Sequence, residues 1–144
     1  MDNFYMNQAI KMAKKAQKKG NVPVGAVIVC ENKIIATGYN KKNSKKVAFY
    51  HAEIIAIEKA SKKLKKWILD DCELYVTMKP CQMCHYVIAE SRIKNVFYLM
   101  DSNYYENLES AASSIKYSKL NSDSNYIDIV NNFFINLRNQ NKKR

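Results

Sequence analysis

Three potential metal ligands and one acidic residue stand in two short segments, 51–53 and 80–84. The first segment reads His-Ala-Glu and the second reads Pro-Cys-Gln-Met-Cys. Imidazole and thiolate groups are preferred zinc ligands, and a hydrolytic zinc site keeps three protein ligands and leaves its fourth position to water. Bound zinc lowers the pKa of this water towards neutrality, and a nearby carboxylate can then move protons. The pattern predicts a hydrolytic zinc site with His51, Cys81 and Cys84 as ligands and Glu53 as proton shuttle.

Two helices are needed to position these side chains. Pro80 suits the first turn of a helix, and Cys81 and Cys84, three residues apart, then both lie near that turn. Amide N–H groups at a helix start favour the thiolate form of a cysteine. His51 precedes a second stretch with helical apolar periodicity that runs to about Leu64. We therefore expect two helix N-termini to converge on one metal.

Two other interpretations of these residues stay open. A Cys-x-x-Cys pair alone can be a redox pair, and a zinc site can be purely structural when a fourth protein ligand closes it. His85 lies four residues after Cys81, on the same helix face, and is one spare ligand. Cys30 and Cys72 are two more. Three ligands beside an acid are more typical of a catalytic site.

The length of 144 residues predicts one domain, residues 1–144, whose C-terminal helical segment spans about 104–144. An apolar fraction of 47% excludes wholesale disorder. The sequence contains no apolar run long enough for a membrane span and no basic start followed by an apolar stretch. Four cysteines, two of them assigned to zinc, are more typical of a protein in a reducing compartment than of one held together by disulfides. We therefore expect a cytoplasmic protein without a membrane partner.

The net charge is +11, and most of the excess lies in clusters of lysines. Such clusters suit a phosphate backbone, for which electrostatics supply much of the affinity. The alternative is a basic surface that merely reflects AT-rich codon usage, because the chain is also rich in Asn, Ile and Tyr. The clusters lie at 14–19, 41–46, 62–66 and 142–144.

Hydrophobic periodicity predicts the order helix, strand, strand, helix, strand, helix, strand and a final helix. The predicted ranges are 2–19, 22–30, 33–38, 51–64, 72–78, 81–91, 95–100 and 126–139. Residues 103–124 are polar and weakly patterned. This order indicates an α/β domain with a mixed sheet between helices, and the strand-to-helix connections place the zinc residues at one sheet edge.

The two segments also carry a resemblance to a known family. H-x-E…P-C-x-x-C is a signature of zinc-dependent nucleobase deaminases, and the chain resembles the bacterial tRNA-specific adenosine deaminases of the cytidine and nucleobase deaminase superfamily. Further similar stretches lie at 22–27, 38–40, 74–77 and 91–93. The resemblance therefore covers about residues 4–101.

The resemblance implies a three-layer α/β/α sandwich with a mixed, five-stranded sheet. It implies hydrolytic deamination of adenosine to inosine at the tRNA wobble position, with one zinc per chain on the three ligands named above. Asn40 is expected to hold the base, and the backbone of Ala52 to contact its edge. Family members usually act as homodimers, so the implied partners are a tRNA anticodon arm and a second copy of the chain.

Several positions depart from the family pattern. Lys79 stands where an acidic residue is usual, and Tyr50, His85 and Tyr86 stand where small residues are usual. These changes spare the zinc ligands and Glu53, so they bear on the substrate more than on the reaction. One alternative is a deaminase of a free base or nucleoside, guanine or cytosine, whose pocket the C-terminal segment would close. A further alternative is a non-catalytic, zinc-stabilised RNA-binding module.

Overall fold

The structure is a computed structural model that describes residues 2–102, 114–121 and 124–142. Five helices and five strands are assigned within these ranges. In chain order they are α1 (Asp2–Lys18), β1 (Gly25–Cys30), β2 (Lys33–Tyr39), α2 (Lys42–Lys45), α3 (Ala52–Leu64), β3 (Cys72–Met78), α4 (Gln82–Glu90), β4 (Asn95–Met100), β5 (Lys116–Lys119) and α5 (Ser124–Lys142).

The strands form one mixed sheet in the order β2-β1-β3-β4-β5. Strand β1 is antiparallel to both of its neighbours, whereas β3, β4 and β5 are mutually parallel. Helix α4 connects β3 to β4, as a parallel pair requires a crossover. The predicted mixed, five-stranded sheet of a three-layer α/β/α sandwich is confirmed.

Strand β1 shows why the sheet is covered on both sides, because all six of its residues are buried. Successive side chains of a strand point to opposite faces. Ala26 and Ile28 pack in the core that includes α3 and α4. Val27 and Val29 pack in the second core, with α1 and α5. Two apolar layers therefore hold the sheet between two helical layers.

Two glycines allow helices to approach the sheet very closely. A Cβ atom at Gly25 would lie 1.9 Å from the carbonyl oxygen of Ala9 in α1. One at Gly38 would lie 2.5 Å from the carbonyl oxygen of Ala52 in α3. Neither position has room for a side chain, so these glycines set how deeply α1 and α3 pack. The second contact fixes the start of α3, where His51 lies.

The structure differs from the sequence-based prediction in three places. The predicted strand 22–30 begins only at Gly25, because Pro23 has no N–H to donate to a sheet ladder. No element was predicted between residues 38 and 51, but Lys42–Lys45 form the short helix α2. The interpretation of 103–124 as polar and weakly patterned missed β5, and residues 103–113 and 122–123 lie outside the described residues. Within the described ranges, no helix is long and apolar enough to span a membrane.

Candidate active site

The start of α3 and the start of α4 carry the candidate metal ligands. His51 is the N-cap residue of α3, and Cys81 is the N-cap residue of α4. Both have extended backbone conformations, with φ near −77° and −71°. Cys84 lies in the first turn of α4. The structure therefore shows the predicted convergence of two helix N-termini.

The three donor atoms are close together. Nδ1 of His51 lies 3.6 Å from Sγ of Cys81 and 3.5 Å from Sγ of Cys84. In a tetrahedral zinc site, Zn–N and Zn–S bonds of roughly 2.0–2.1 and 2.3 Å place nitrogen and sulfur about 3.6 Å apart. Both nitrogen–sulfur distances therefore fit zinc, and the two sulfur atoms lie within 4.8 Å of each other. Within the part of the chain that the structure describes, no fourth His, Cys, Asp or Glu joins this group.

The spare ligands considered from the sequence lie elsewhere. His85 is fully buried, and its Nδ1 is 2.6 Å from the hydroxyl oxygen of Tyr117. Cys30 and Cys72 are directly paired across β1 and β3, at the end of the sheet away from the candidate site. The geometry is therefore that of a site with three protein ligands and an open position.

The pKa values of the Cys81 and Cys84 thiols are shifted in opposite directions. A hydrogen bond from Cys84 lowers the pKa of the Cys81 thiol to about 4. The same contact raises the pKa of Cys84, and burial raises it further. A hydrogen bond with Cys81 also raises the pKa of the His51 ring. One thiolate is thus already stable in the protein alone, and a bound dication favours the second.

Glu53 lies two residues after His51 in the first turn of α3 and is only 3% exposed. Burial raises the pKa of its carboxyl group to about 7. A carboxyl group that titrates near neutral pH can both accept and donate a proton under physiological conditions. Glu53 therefore has the burial and the proton affinity of a general acid–base.

These residues line one cavity of about 180 Å³. This volume is smaller than the roughly 300–1,000 Å³ of sites for drug-sized ligands, so the cavity suits one heterocyclic base. Its lining comprises Val22, Val24, Asn40, Lys42, His51, Ala52, Glu53, Met78, Lys79, Cys81 and Ser102. The structure thus brings the predicted site residues to one cavity, apart from Cys84, which is fully buried and is not part of the lining.

Asn40 and Ala52 form part of the wall where a base was expected to bind. Oδ1 of Asn40 accepts a hydrogen bond from the backbone N–H of Lys42 at 2.9 Å. This turn contact fixes the orientation of the amide. Ala52 is fully buried beneath Gly38. Both residues are therefore held rigidly at the cavity.

Other wall residues were not identified as site residues from the sequence. They come from two loops, from the start of α2 and from the end of β3, which are far apart in the chain: Val22, Val24, Lys42, Met78 and Ser102. No spacing rule joins them, because the sheet topology alone brings them together. The similar stretch at 22–27 was the one available signal for the first two.

A buried tyrosine of α5 supports this wall from behind. Tyr126 is fully buried, and its hydroxyl donates a hydrogen bond to the carbonyl oxygen of Pro23 at 2.8 Å. Gly25 N–H donates to Oγ1 of Thr77 at 3.1 Å, also in the interior. These two bonds hold segment 22–25 against β3 and α5. The C-terminal helix therefore contributes to the cavity through its supporting contacts.

Lysine side chains border the cavity. Lys42 and Lys79 are both part of its lining. Nζ of Lys79 lies 5.6 Å from the ring centroid of Tyr98 and 5.2 Å from that of Tyr117. These cation–π contacts hold an ammonium group at the cavity. The site therefore combines a base-sized cavity with positive charge at its border.

Comparison with known proteins identifies the family. Residues 1–100 match the cytidine and deoxycytidylate deaminase zinc-binding region. The chain belongs to this deaminase family. The resemblance seen in the sequence is therefore confirmed, as is zinc as the expected metal.

Within the deaminase family, the chain is similar to the tRNA-specific adenosine deaminase of Bacillus subtilis, with 43% identity over 97 residues. These residues are 67% of this chain and 60% of that protein, so the chain spans about three fifths of its relative's length.

Two solved structures of deaminases are also similar. A structure from work on A-to-I editing by tRNA:A34 deaminases at the wobble position has a TM-score of 0.73 and 27% identity, over 81% of this chain and 94% of that one. Guanine deaminase from Bacillus subtilis has a TM-score of 0.65 and 35% identity, over 78% of this chain and 70% of that one.

Proposed function

We propose that the protein hydrolyses adenosine to inosine at the wobble position of a tRNA. The observation that carries this proposal is a buried Glu53 beside the His51, Cys81 and Cys84 donor group, in a base-sized cavity. The substrate is suggested by the tRNA-specific adenosine deaminase of Bacillus subtilis and by the tRNA:A34 deaminase structure.

His51, Cys81 and Cys84 would hold one zinc ion per chain. When bound, zinc supplies a water molecule whose pKa is lowered towards neutrality. Glu53 accepts a proton from the attacking water and returns protons to the ring nitrogen and to the leaving amino group. One water is consumed and one ammonia released, and the C6–N bond is replaced by C6–O. Asn40 and the Ala52 backbone hold the base edge during this exchange.

The cavity border favours a polynucleotide over a free base. A flipped base enters the cavity while its phosphates remain outside, where Lys42 and Lys79 can attract them. An anticodon loop is single-stranded, so little base-pairing energy is lost when one base is extruded. Among the described residues, the cavity is lined by residues between 22 and 102, and no described residue of α5 lines it. The described residues of α5 therefore do not provide the closure expected of a free-base enzyme.

We further propose that residues 1–144 act as one cytoplasmic deaminase domain and that two copies associate. Met83 and Tyr86, one turn apart on α4, are 37% and 46% exposed. They provide an apolar surface beside the site that a second copy can cover. Light scattering of the zinc-loaded protein tests this association, and a monomer at micromolar concentration would refute it.

The deciding experiment uses zinc-loaded protein and the anticodon arm of a tRNA with adenosine at the wobble position. Inosine is quantified after nuclease digestion by mass spectrometry. Glu53→Gln should abolish inosine formation while zinc content stays the same. Glu58→Gln makes the same chemical change on the exposed part of the same helix, and should retain full activity.

A second candidate function, deamination of a free base, is favoured by the 35% identity to guanine deaminase. The same protein is therefore assayed for ammonia release from guanine and cytosine. Ammonia from guanine with no inosine in RNA would establish this second candidate. RNA binding and zinc content without turnover of any substrate would instead indicate a non-catalytic RNA-binding module.

A further inference from the structure

A second group of potential metal ligands lies at the opposite end of the sheet from the candidate active site. Cys30 ends β1 and Cys72 begins β3, and the two residues are paired directly across the antiparallel ladder. Asp71 immediately precedes Cys72. The cavity residue Met78 is at the other end of β3, six residues away, which corresponds to roughly 20 Å of strand. The two groups therefore cannot share one metal ion.

The donor atoms of this second group are already clustered. The Sγ atoms of Cys30 and Cys72 and one carboxylate oxygen of Asp71 all lie within 4.8 Å of one another. Sγ of Cys72 is 3.6 Å from Oδ1 of Asp71. The thiol of Cys30 also has hydrogen-bond contacts with both Asp71 and Cys72. Ligand atoms of one tetrahedral zinc site lie about 3.5–3.8 Å apart, so small side-chain movements would complete the site.

The burial of the group suits a metal that enters from solvent. Cys72 is 2% exposed and Cys30 is 8% exposed, so their sulfur atoms lie at the end of the apolar core. The Asp71 side chain, in contrast, is 43% exposed. The carboxylate thus gives a route from solvent to two sulfur ligands that are shielded from competing water.

The charges of the group can balance a dication. Nζ of Lys66 lies 3.2 Å from the Asp71 carboxylate, so the group is neutral while both thiols are protonated. Binding of one M²⁺ ion with release of two thiol protons leaves two thiolates, one carboxylate and one ammonium around it. The net charge of these groups and the dication together is again zero. The exchange therefore buries no net charge, which is the usual obstacle to ion binding near a core.

Burial of the two thiols weighs against a redox role. Burial raises the pKa of Cys30, and raises that of Cys72 to about 12. The thiolate, which is the form that attacks oxidants and disulfides, is therefore scarce at neutral pH. A metal ion must displace these thiol protons, so its affinity should rise with pH.

We propose that Cys30, Cys72 and Asp71 form a second metal site, for a thiophilic dication of the zinc and cadmium type. The two sulfur atoms and the carboxylate supply three ligands, and water completes the coordination. Soft sulfur ligands select such ions over magnesium and calcium. The site does not depend on the proposed deaminase function, and its loss should leave that activity unchanged.

Cadmium is the probe for the test. Zinc-loaded protein is titrated with Cd²⁺, bound metal is counted by mass spectrometry, and thiolate-to-cadmium absorption is recorded. We expect two metal ions per chain in the wild type and one in Cys30→Ala/Cys72→Ala. Asp71→Asn should weaken the second site at least tenfold, whereas the neighbouring exposed Asp70→Asn should not. One metal per chain in the wild type, or a second metal that persists in the double variant, would overturn the proposal.

Alkylation of the wild type gives a readout that does not depend on the folding of the double variant. Buried thiols react with iodoacetamide only when the structure opens transiently, so labelling is followed over hours in sub-denaturing urea. Peptide mass spectrometry should show slower labelling of Cys30 and Cys72 with Cd²⁺ than without it, and the peptide with Cys81 and Cys84 reports on the first site separately. Equal, measurable labelling rates of Cys30 and Cys72 with and without Cd²⁺ would refute the site. Loss of two hydrogens in air, without cadmium binding, would identify a redox pair instead and would also refute it.

Discussion

His51 and Cys81 cap two different helices, yet Nδ1 of the one lies 3.6 Å from Sγ of the other. Neither side chain makes a capping hydrogen bond to its own helix. N-cap side chains normally accept a hydrogen bond from a backbone N–H of the first helical turn. At both helix starts the side chain is directed to the shared site instead, so the site and the helix ends depend on each other.

The first prediction concerns this dependence. Cys84→Ser should lower zinc affinity at least tenfold and reduce the free energy of unfolding, because bound zinc stabilises the state that holds it. Gln82→Ser, at an exposed position in the same turn, should alter neither quantity substantially. Metal content and urea unfolding are measured for both. Full zinc occupancy in Cys84→Ser would show that Cys84 is not a ligand.

The second prediction concerns the packing of α3 on β2. In Gly38→Ala, the new Cβ would meet the Ala52 carbonyl oxygen at 2.5 Å. The helix must shift, and overpacking of this kind costs about 1–3 kcal/mol. Because the shift also moves the start of α3, activity should fall more than stability alone explains.

Gly20→Asn is the matched control for this prediction. A Cβ at Gly20 meets nothing within 4 Å, and asparagine tolerates the positive φ of 81° better than most residues. Its free energy of unfolding should stay within about 1 kcal/mol of the wild type. Equal unfolding curves for Gly38→Ala and the wild type would contradict the steric argument.

The third prediction concerns the charge at the cavity border. Lys42→Ala should weaken binding of a single-stranded anticodon loop and reduce the slope of log Kd against log salt by about 0.7 for one lost phosphate contact. Lys63→Ala, at the far end of α3 from the cavity, should leave the slope unchanged. Fluorescence anisotropy measures both in a Glu53→Gln background, which prevents turnover. Identical slopes for the two variants would exclude Lys42 from the RNA contact.

The fourth prediction concerns pH and His85. Burial lowers the pKa of this ring, and the charge of Lys79 adds to the effect. The folded state thus favours the neutral ring, whereas the unfolded state gains a proton near pH 6.5. The stability from the neutral ring is complete above pH 6.5 and is lost as the pH falls below it.

His85→Gln removes this titration. The free energy of unfolding of the wild type should therefore fall more steeply than that of His85→Gln between pH 7 and 5.5, with an added slope of at most about 1.4 kcal/mol per pH unit. Urea unfolding at each pH measures both proteins, with zinc content checked in parallel. Curves that stay parallel would show that His85 is protonated equally in both states.

The candidate site was largely predictable because its chemistry is local in sequence. His51 and Glu53 stand two residues apart, and Cys81 and Cys84 stand three apart. Each pair belongs to one helix start, whose position follows from apolar periodicity and from Pro80. The unpredicted wall residues, such as Met78 and Ser102, lie where strand ends meet, and only the sheet order decides that meeting.

The same reasoning explains the strand that was missed. Strand β5 has four residues, two of them exposed lysines, and carries no apolar alternation. It pairs with β4 in parallel through backbone hydrogen bonds, and Lys116 lies opposite Asn95. Backbone pairing does not require particular side chains. The sequence of such a short edge strand therefore does not predict it, and only the rest of the sheet does.

The bond between Tyr126 and Pro23 joins positions 103 residues apart. During synthesis the ribosome delivers the N-terminal part first, so β1 to β4 can assemble before Tyr126 has emerged. The cavity wall at 22–24 then lacks its supporting hydroxyl until Tyr126 has been synthesised. A nascent protein could thus acquire its metal ligands first and a finished binding cavity only once α5 has folded onto segment 22–25.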